Sequence, residues 1–83
     1  PMYFRAHGLR KRGDYAGAIA MAEMELARFP DDLEGQLLIA DIRAVDLKDP
    51  AGALAGLAEI LVQPGRSADD LCRTLDRMAD LQL

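Results

Sequence analysis

Apolar residues recur along this chain at helical rather than strand spacing, in five blocks separated by turn residues. Met2, Ala6 and Leu9 fall at i, i+4 and i+7. Tyr15, Ala18, Ile19, Ala22 and Leu26 share one face of a second block. Leu54, Leu57, Ala58 and Leu61 line a fourth, and Leu71, Leu75, Met78 and Ala79 a fifth. The third block differs: Leu33, Leu37, Leu38, Ile39, Ala40, Ile42, Ala44, Val45 and Leu47 spread round most of a helix circumference. A helix that is apolar nearly all round is covered on several sides. The pattern predicts an all-α chain of about five helices, over residues 2–12, 15–29, 32–47, 50–62 and 67–81. The connections are only a few residues long, so successive helices must pack antiparallel.

Punctuation fits these boundaries. Asp14 and Asp49 are placed to N-cap the second and fourth helices by accepting from free amide groups. Pro50 suits a first helical turn, where its missing N–H costs nothing. Pro30 and Pro64 end the helices before them, because a residue preceding proline avoids the α region. Asp31 with Glu34 has the spacing of a capping box, and Ser67 with Asp70 repeats it more weakly.

The chain also repeats itself. Asp14-Tyr15-Ala16-Gly17-Ala18-Ile19-Ala20 recurs as Asp49-Pro50-Ala51-Gly52-Ala53-Leu54-Ala55, identical at five of seven positions and displaced by 35 residues. Pro30 and Pro64 follow at a displacement of 34. A period in this range marks stacked supersecondary units that bury their apolar faces on one another.

Gly13-Asp14-Tyr15, then Ala18-Ile19, then Pro30 resembles, in order and spacing, the second-helix signature of the tetratricopeptide repeat. The second copy keeps Asp49, Ala53-Leu54 and Pro64 but has Lys48-x-Pro50 in place of Gly-x-Tyr. In the first helix of a pair the family prefers Leu-Gly; here stand Arg5-Ala6 and Ile39-Ala40. The family's aromatic near the start of that helix is replaced by Met2 and Gln36. The resemblance covers about residues 1–64. It implies a right-handed superhelix of antiparallel helix pairs, one over about 1–30 and one over 31–64. Helix 67–81 would then cap the array or begin a third repeat. It also implies a concave groove lined by the first helix of each pair, a surface that commonly binds extended peptides or partner helices. Matched residue by residue, the groove positions are Tyr3, His7, Arg10 and Lys11 from the first pair, and Glu34, Leu37, Asp41, Ala44 and Val45 from the second. The first set is basic and aromatic, the second acidic and apolar, a mixture suited to an amphipathic segment. Clamps of this family that grip heat-shock C termini use Asn with Lys and Arg. This chain has no Asn, and Lys11 alone does not make a clamp.

Charge narrows the choice of partner. The formal net charge of the 83 residues is −4. Residues 1–12 carry four cations (Arg5, Arg10, Lys11 and Arg12) and no acid, whereas the remainder carries six cations against fourteen acids. An acidic body opposes non-specific binding to phosphate backbones. Tyr3, Phe4 and Arg5 beside the basic cluster have the makings of a base-stacking arm, but the acidic remainder favours a protein partner, with no nucleic acid. The longest uncharged run, Pro50 to Ala58, falls far short of the roughly 20 apolar residues of a membrane span, so no membrane is expected as a partner. No apolar leader is visible and Cys72 is the only cysteine, which fits a cytoplasmic setting. Arg outnumbers Lys eight to two in an Ala-rich chain, a composition typical of high-GC bacteria. The first residue is Pro rather than Met and the last helix lacks a stop signal, so a fragment of a longer protein is expected, forming a single domain over 1–83.

Catalytic candidates are few. His7 is the only histidine and has no local partner to orient it. Cys72 beside an apolar stripe reads as a small buried hydrophobe. Asp31-Asp32 and Asp69-Asp70 read as caps, because acids favour a first helical turn. Gly13-x-x-x-Gly17 and Gly52-x-x-x-Gly56 would let paired helices approach closely rather than mark a membrane dimer. Phosphate-cradling loops, metal-spaced Cys/His sets and nucleophile elbows are all lacking. The expectation is therefore a protein-interaction module with no enzyme activity, no metal and no cofactor. It would bind a protein or peptide in its groove, or act as a homo-oligomer through its first or last helix.

Overall fold

The computed structural model describes residues 1–81. Five α-helices fill that span: α1 Phe4–Lys11, α2 Tyr15–Arg28, α3 Leu33–Asp41, α4 Pro50–Leu61 and α5 Ala68–Leu81. There is no strand among the described residues. Gln82 and Leu83 lie outside them.

Three of the four inter-helix links are closed by the same local device. Asp14 accepts from the Gly17 amide at 3.0 Å, Asp32 from Gly35 at 3.1 Å and Asp49 from Gly52 at 3.0 Å. The fourth link uses the Ser67 hydroxyl, which accepts from the Asp70 amide at 3.0 Å. Asp14, Asp49 and Ser67 thus cap as expected. The third cap is Asp32 rather than Asp31, one residue later than the Asp31–Glu34 spacing predicts. Asp32 heads a third Asp-x-x-Gly block, which the seven-residue repeat does not reveal.

The expected third helix, 32–47, is shorter as an α-helix. After Asp41 it widens over Ile42–Asp46 into a turn closed by an i→i+5 bond from the Leu47 amide to the Ile42 carbonyl, 3.0 Å. Lys48 then takes a left-handed conformation (φ 54°), and the Asp49 amide donates back to the Arg43 carbonyl at 2.7 Å. Gly13 holds the equivalent place before Asp14, with φ 85°. Glycine enters that region freely, whereas lysine does so at a cost.

Packing follows chain order. α1 packs on α2, α2 on α3, α3 on α4 and α4 on α5. The Cα atoms span 33 × 32 × 15 Å. Axes about 8–10 Å apart, with Cα atoms about 2.3 Å from each axis, give about 13–15 Å, so the short dimension is two helix layers. Tyr3 beside α1 bonds Asp32 beside α3, and Arg73 and Arg77 of α5 pair with Glu34 and Asp41 of α3, which sets α1, α3 and α5 in one layer and leaves α2 and α4 to the other.

The core has two lobes, and α3 belongs to both. Leu38, Ile39 and Ile42 pack with Ala6, Ala18 and Ala22. Leu33, Leu37 and Ala40 pack with Ala53, Leu57 and Ile60. That division explains why the third block is apolar nearly all round. Alanine dominates the α1–α2 contact, where small side chains let helix axes come close.

Several predicted faces are rotated. The buried face of α4 is Ala53, Leu57 and Ile60, with Leu54 and Leu61 half-buried and Ala58 exposed. In α5, Thr74 is fully buried and donates to the Asp70 carbonyl at 2.8 Å, while Leu75, Ala79 and Cys72 are exposed. Met2, Val45 and Leu47 also face solvent. Alanine and leucine on adjoining arcs leave the direction of burial ambiguous until the neighbouring helices are placed.

Candidate functional site

The layer formed by α1, α3 and α5 presents a shallow groove. Tyr3, at the N-cap of α1, and His7 and Arg10 on its following turns share one side of that helix, and Glu34, Leu37, Leu38 and Asp41 lie on the facing side of α3. Together with Arg77 of α5 they surround a hollow of about 160 Å3. A second hollow of about 340 Å3 adjoins it and shares Arg10, Asp41 and Arg77. Its walls add Ala40, Val45, Leu57 and Asp80.

Of the nine groove positions matched from the sequence, Tyr3, His7, Arg10, Glu34, Leu37 and Asp41 line the first hollow, and Arg10, Asp41 and Val45 the second. Val45, 62% exposed, is the apolar side chain most open to a guest. Leu37 is buried and serves as floor rather than contact. Ala44 packs against the second core lobe. Lys11 is exposed on α1 and lines neither hollow.

Sequence reading missed Arg73, Arg77 and Asp46, which set the electrostatics. Arg73 pairs with Glu34 and Arg77 with Asp41, bridging α5 to α3. Arg10 pairs with Asp46, bridging α1 to the widened turn. The Arg73 guanidinium is pushed up from its ordinary pKa by its hydrogen bond and charge contact with Glu34. The groove wall is thus lined by charges that already have partners within the chain. The i, i+4 spacing of Arg73 and Arg77 on α5 was the available signal, because it sets both on one side of the helix.

Tyr3 anchors one end. Its hydroxyl donates to the Asp32 carboxylate at 2.6 Å, so Asp32 both caps α3 and ties α1 to it. Burial, and then the adjacent carboxylate, push the Tyr3 phenol well above its usual pKa. The ring fits there because Gly35 lacks a Cβ: one built at that position would run into the Tyr3 phenol.

Arg66 fastens the far end. Its side chain is 6% exposed and reaches three elements. It donates to Gln63 at the end of α4 (2.6 and 3.0 Å), to Gln36 of α3 (2.7 Å) and to Asp70 of α5 (3.3 Å). Gln36 in turn donates to the Pro30 carbonyl at 2.8 Å. This network holds α5 against α3 and keeps Arg73 and Arg77 at the groove.

Among the described residues no three His, Cys, Asp or Glu side chains cluster closely enough to hold a metal ion, and no helix is long and apolar enough to cross a membrane. His7 has no hydrogen-bonded carboxylate among them, and Cys72 is exposed on α5 away from the groove-lining residues. No family model, no curated protein and no solved structure matches this chain.

Proposed function

We propose that this chain is a protein-interaction module of the tetratricopeptide kind, which receives a segment of another polypeptide in the groove between α1, α3 and α5. One observation carries the reading: groove positions matched independently from two sequence copies, Tyr3, His7 and Arg10 from one and Glu34, Leu37 and Asp41 from the other, surround a single hollow. The guest would be amphipathic. Its apolar side would meet Val45 and the aliphatic floor, and its charges would meet a rim carrying both signs. A helix or extended peptide could span the two adjoining hollows, which share Arg10, Asp41 and Arg77.

Peptides selected by display against the folded chain test this. Selected binders should be amphipathic and should weaken at least tenfold on Val45→Asp combined with His7→Glu, two exposed groove positions whose exchange leaves the core intact. Binders indifferent to that change but sensitive to Met24→Asp, on the opposite flank, would refute the groove.

A further inference from the structure

The two ends of the helix stack are unlike each other, and each looks made to receive the other. At the first end, α1 and α2 leave a groove of about 300 Å3 on the side away from α3, floored by Met21 and walled by Met2, Phe4 and Met24. Phe4 and Met24 are each 65% exposed. Its charged edge carries two cations against one acid, Glu25: Arg5 has no ion-pair partner among the described residues, and Arg28 reaches Glu25 only loosely, at 3.7 Å. At the last end, α5 turns a ridge to solvent. Ala68, Cys72, Leu75 and Ala79 fall at i, i+4, i+7 and i+11, all exposed, with Leu75 at 52%. Asp69, Asp76 and Asp80 lie beside that ridge, exposed and in no ion pair among the described residues, with Asp69 near enough to Arg73 to help raise its pKa. The arginines of the same helix, Arg73 and Arg77, are turned toward α3 and used there.

We propose that copies of this chain associate head to tail, the Leu75 ridge of one copy seated in the Phe4–Met24 groove of the next. Shape supports it, because one surface is a groove and the other a helix ridge. Charge supports it as well: Arg5 and Arg28 border the first surface and Asp69, Asp76 and Asp80 the second, so like ends repel while unlike ends attract. Stacked helix pairs leave apolar flanks unless something polar caps them, and each flank here keeps large apolar side chains exposed, Phe4 and Met24 at one end and Leu75 at the other. A contact between two different surfaces is heterologous, so it adds copies until the rotation closes a ring or the array runs on. The Phe4–Met24 groove shares no residue with the groove proposed above for a foreign segment, and the ridge side meets that groove only at Asp80, so the two readings fail separately.

Light scattering after gel filtration tests the assembly, in dilute salt, from about 1 µM to about 1 mM chain. Mass should rise with concentration past that of two copies and fall at least fivefold in association constant when salt reaches about 0.5 M, where screening is nearly complete. Two variants, checked for unchanged helicity by circular dichroism, locate the surfaces: Phe4→Glu with Met24→Glu in the groove, and Leu75→Glu on the ridge. Each alone should be monomeric. Mixed, they should give a complex of two copies and no larger, because one intact groove and one intact ridge remain between them. Wild-type chain that stays monomeric throughout, a groove variant that still dimerises through α5, or a mixture that stays monomeric would each overturn the proposal.

Discussion

Gly35→Ala isolates the tie between α1 and α3. Alanine is preferred to glycine inside a helix by about 0.5–1 kcal/mol, mostly through the entropy of the unfolded chain. At Gly8 nothing stands within 4 Å of an added Cβ, and at Gly56 only the tip of Arg43, so both substitutions should stabilise by that amount. At Gly35 the added carbon meets the Tyr3 phenol. The ring must leave, and its bond to the Asp32 carboxylate goes with it. A hydrogen bond to a charged group contributes about 1.5–3 kcal/mol. Setting the alanine gain against that loss leaves Gly35→Ala destabilising by about 0.5–2.5 kcal/mol. Urea unfolding followed at 222 nm reads the difference. Tyr3→Phe should destabilise too, and adding Gly35→Ala to it should cost less than in the wild type, because the hydroxyl is already absent. The phenol supplies a second readout. Its pKa is raised in the folded chain, so the contribution to stability is complete below the unfolded value of about 10 and declines as pH rises above it. In Gly35→Ala that decline should shrink. Equal stability of the Gly35→Ala and Gly8→Ala chains, or an unchanged alkaline decline, would refute the argument.

Other predictions follow from single contacts. Lys48→Gly should stabilise by about 0.5–1 kcal/mol, because φ 54° strains a side-chain-bearing residue; a loss of stability in thermal unfolding would contradict this. Arg66→Lys should fail to substitute for the guanidinium, since one ammonium cannot reach Gln36, Gln63 and Asp70 together. It should cost about 1.5–3 kcal/mol and speed amide exchange in α5 more than in α2, and uniform exchange across the chain would count against the network.

Local chemistry made much of the fold legible. Asp14, Asp49 and Ser67 cap because a short side chain beside a helix start needs only the residues that follow it. The prolines and short links placed the helix ends, and α3 announced its central position by being apolar on opposing faces. Residues whose roles depend on a neighbour's angle were harder. Adjacent Asp31 and Asp32 are indistinguishable as caps until the first helical residue is fixed. The exposure of Leu75, Ala58 and Val45 depends on which arc of an alanine- and leucine-rich helix meets its partner, and periodicity leaves two arcs open. Arg66 looks like an ordinary surface cation in a turn, and although Gln63 stands three residues before it, nothing local indicates that Gln36 of α3 also converges on it. The candidate groove shows the same division. Positions along α1 and α3 follow from helical spacing, whereas the partners of Glu34 and Asp41 come from α5, whose crossing direction the sequence does not encode in any short motif.

The pairing of Arg10, Arg73 and Arg77 with Asp46, Glu34 and Asp41 has a consequence for how a guest would be chosen. Cations and anions matched one to one cast little field beyond a few ångströms, so these three couples add little long-range steering, and without other help capture would proceed at the unsteered rate of about 10^5–10^6 M−1 s−1. Discrimination would then act at close range, by exclusion. A segment bearing only one sign strands the opposite members of every couple it opens. One whose charges alternate can exchange partners with each couple in turn, and only such a sequence leaves no ion abandoned at the protein surface.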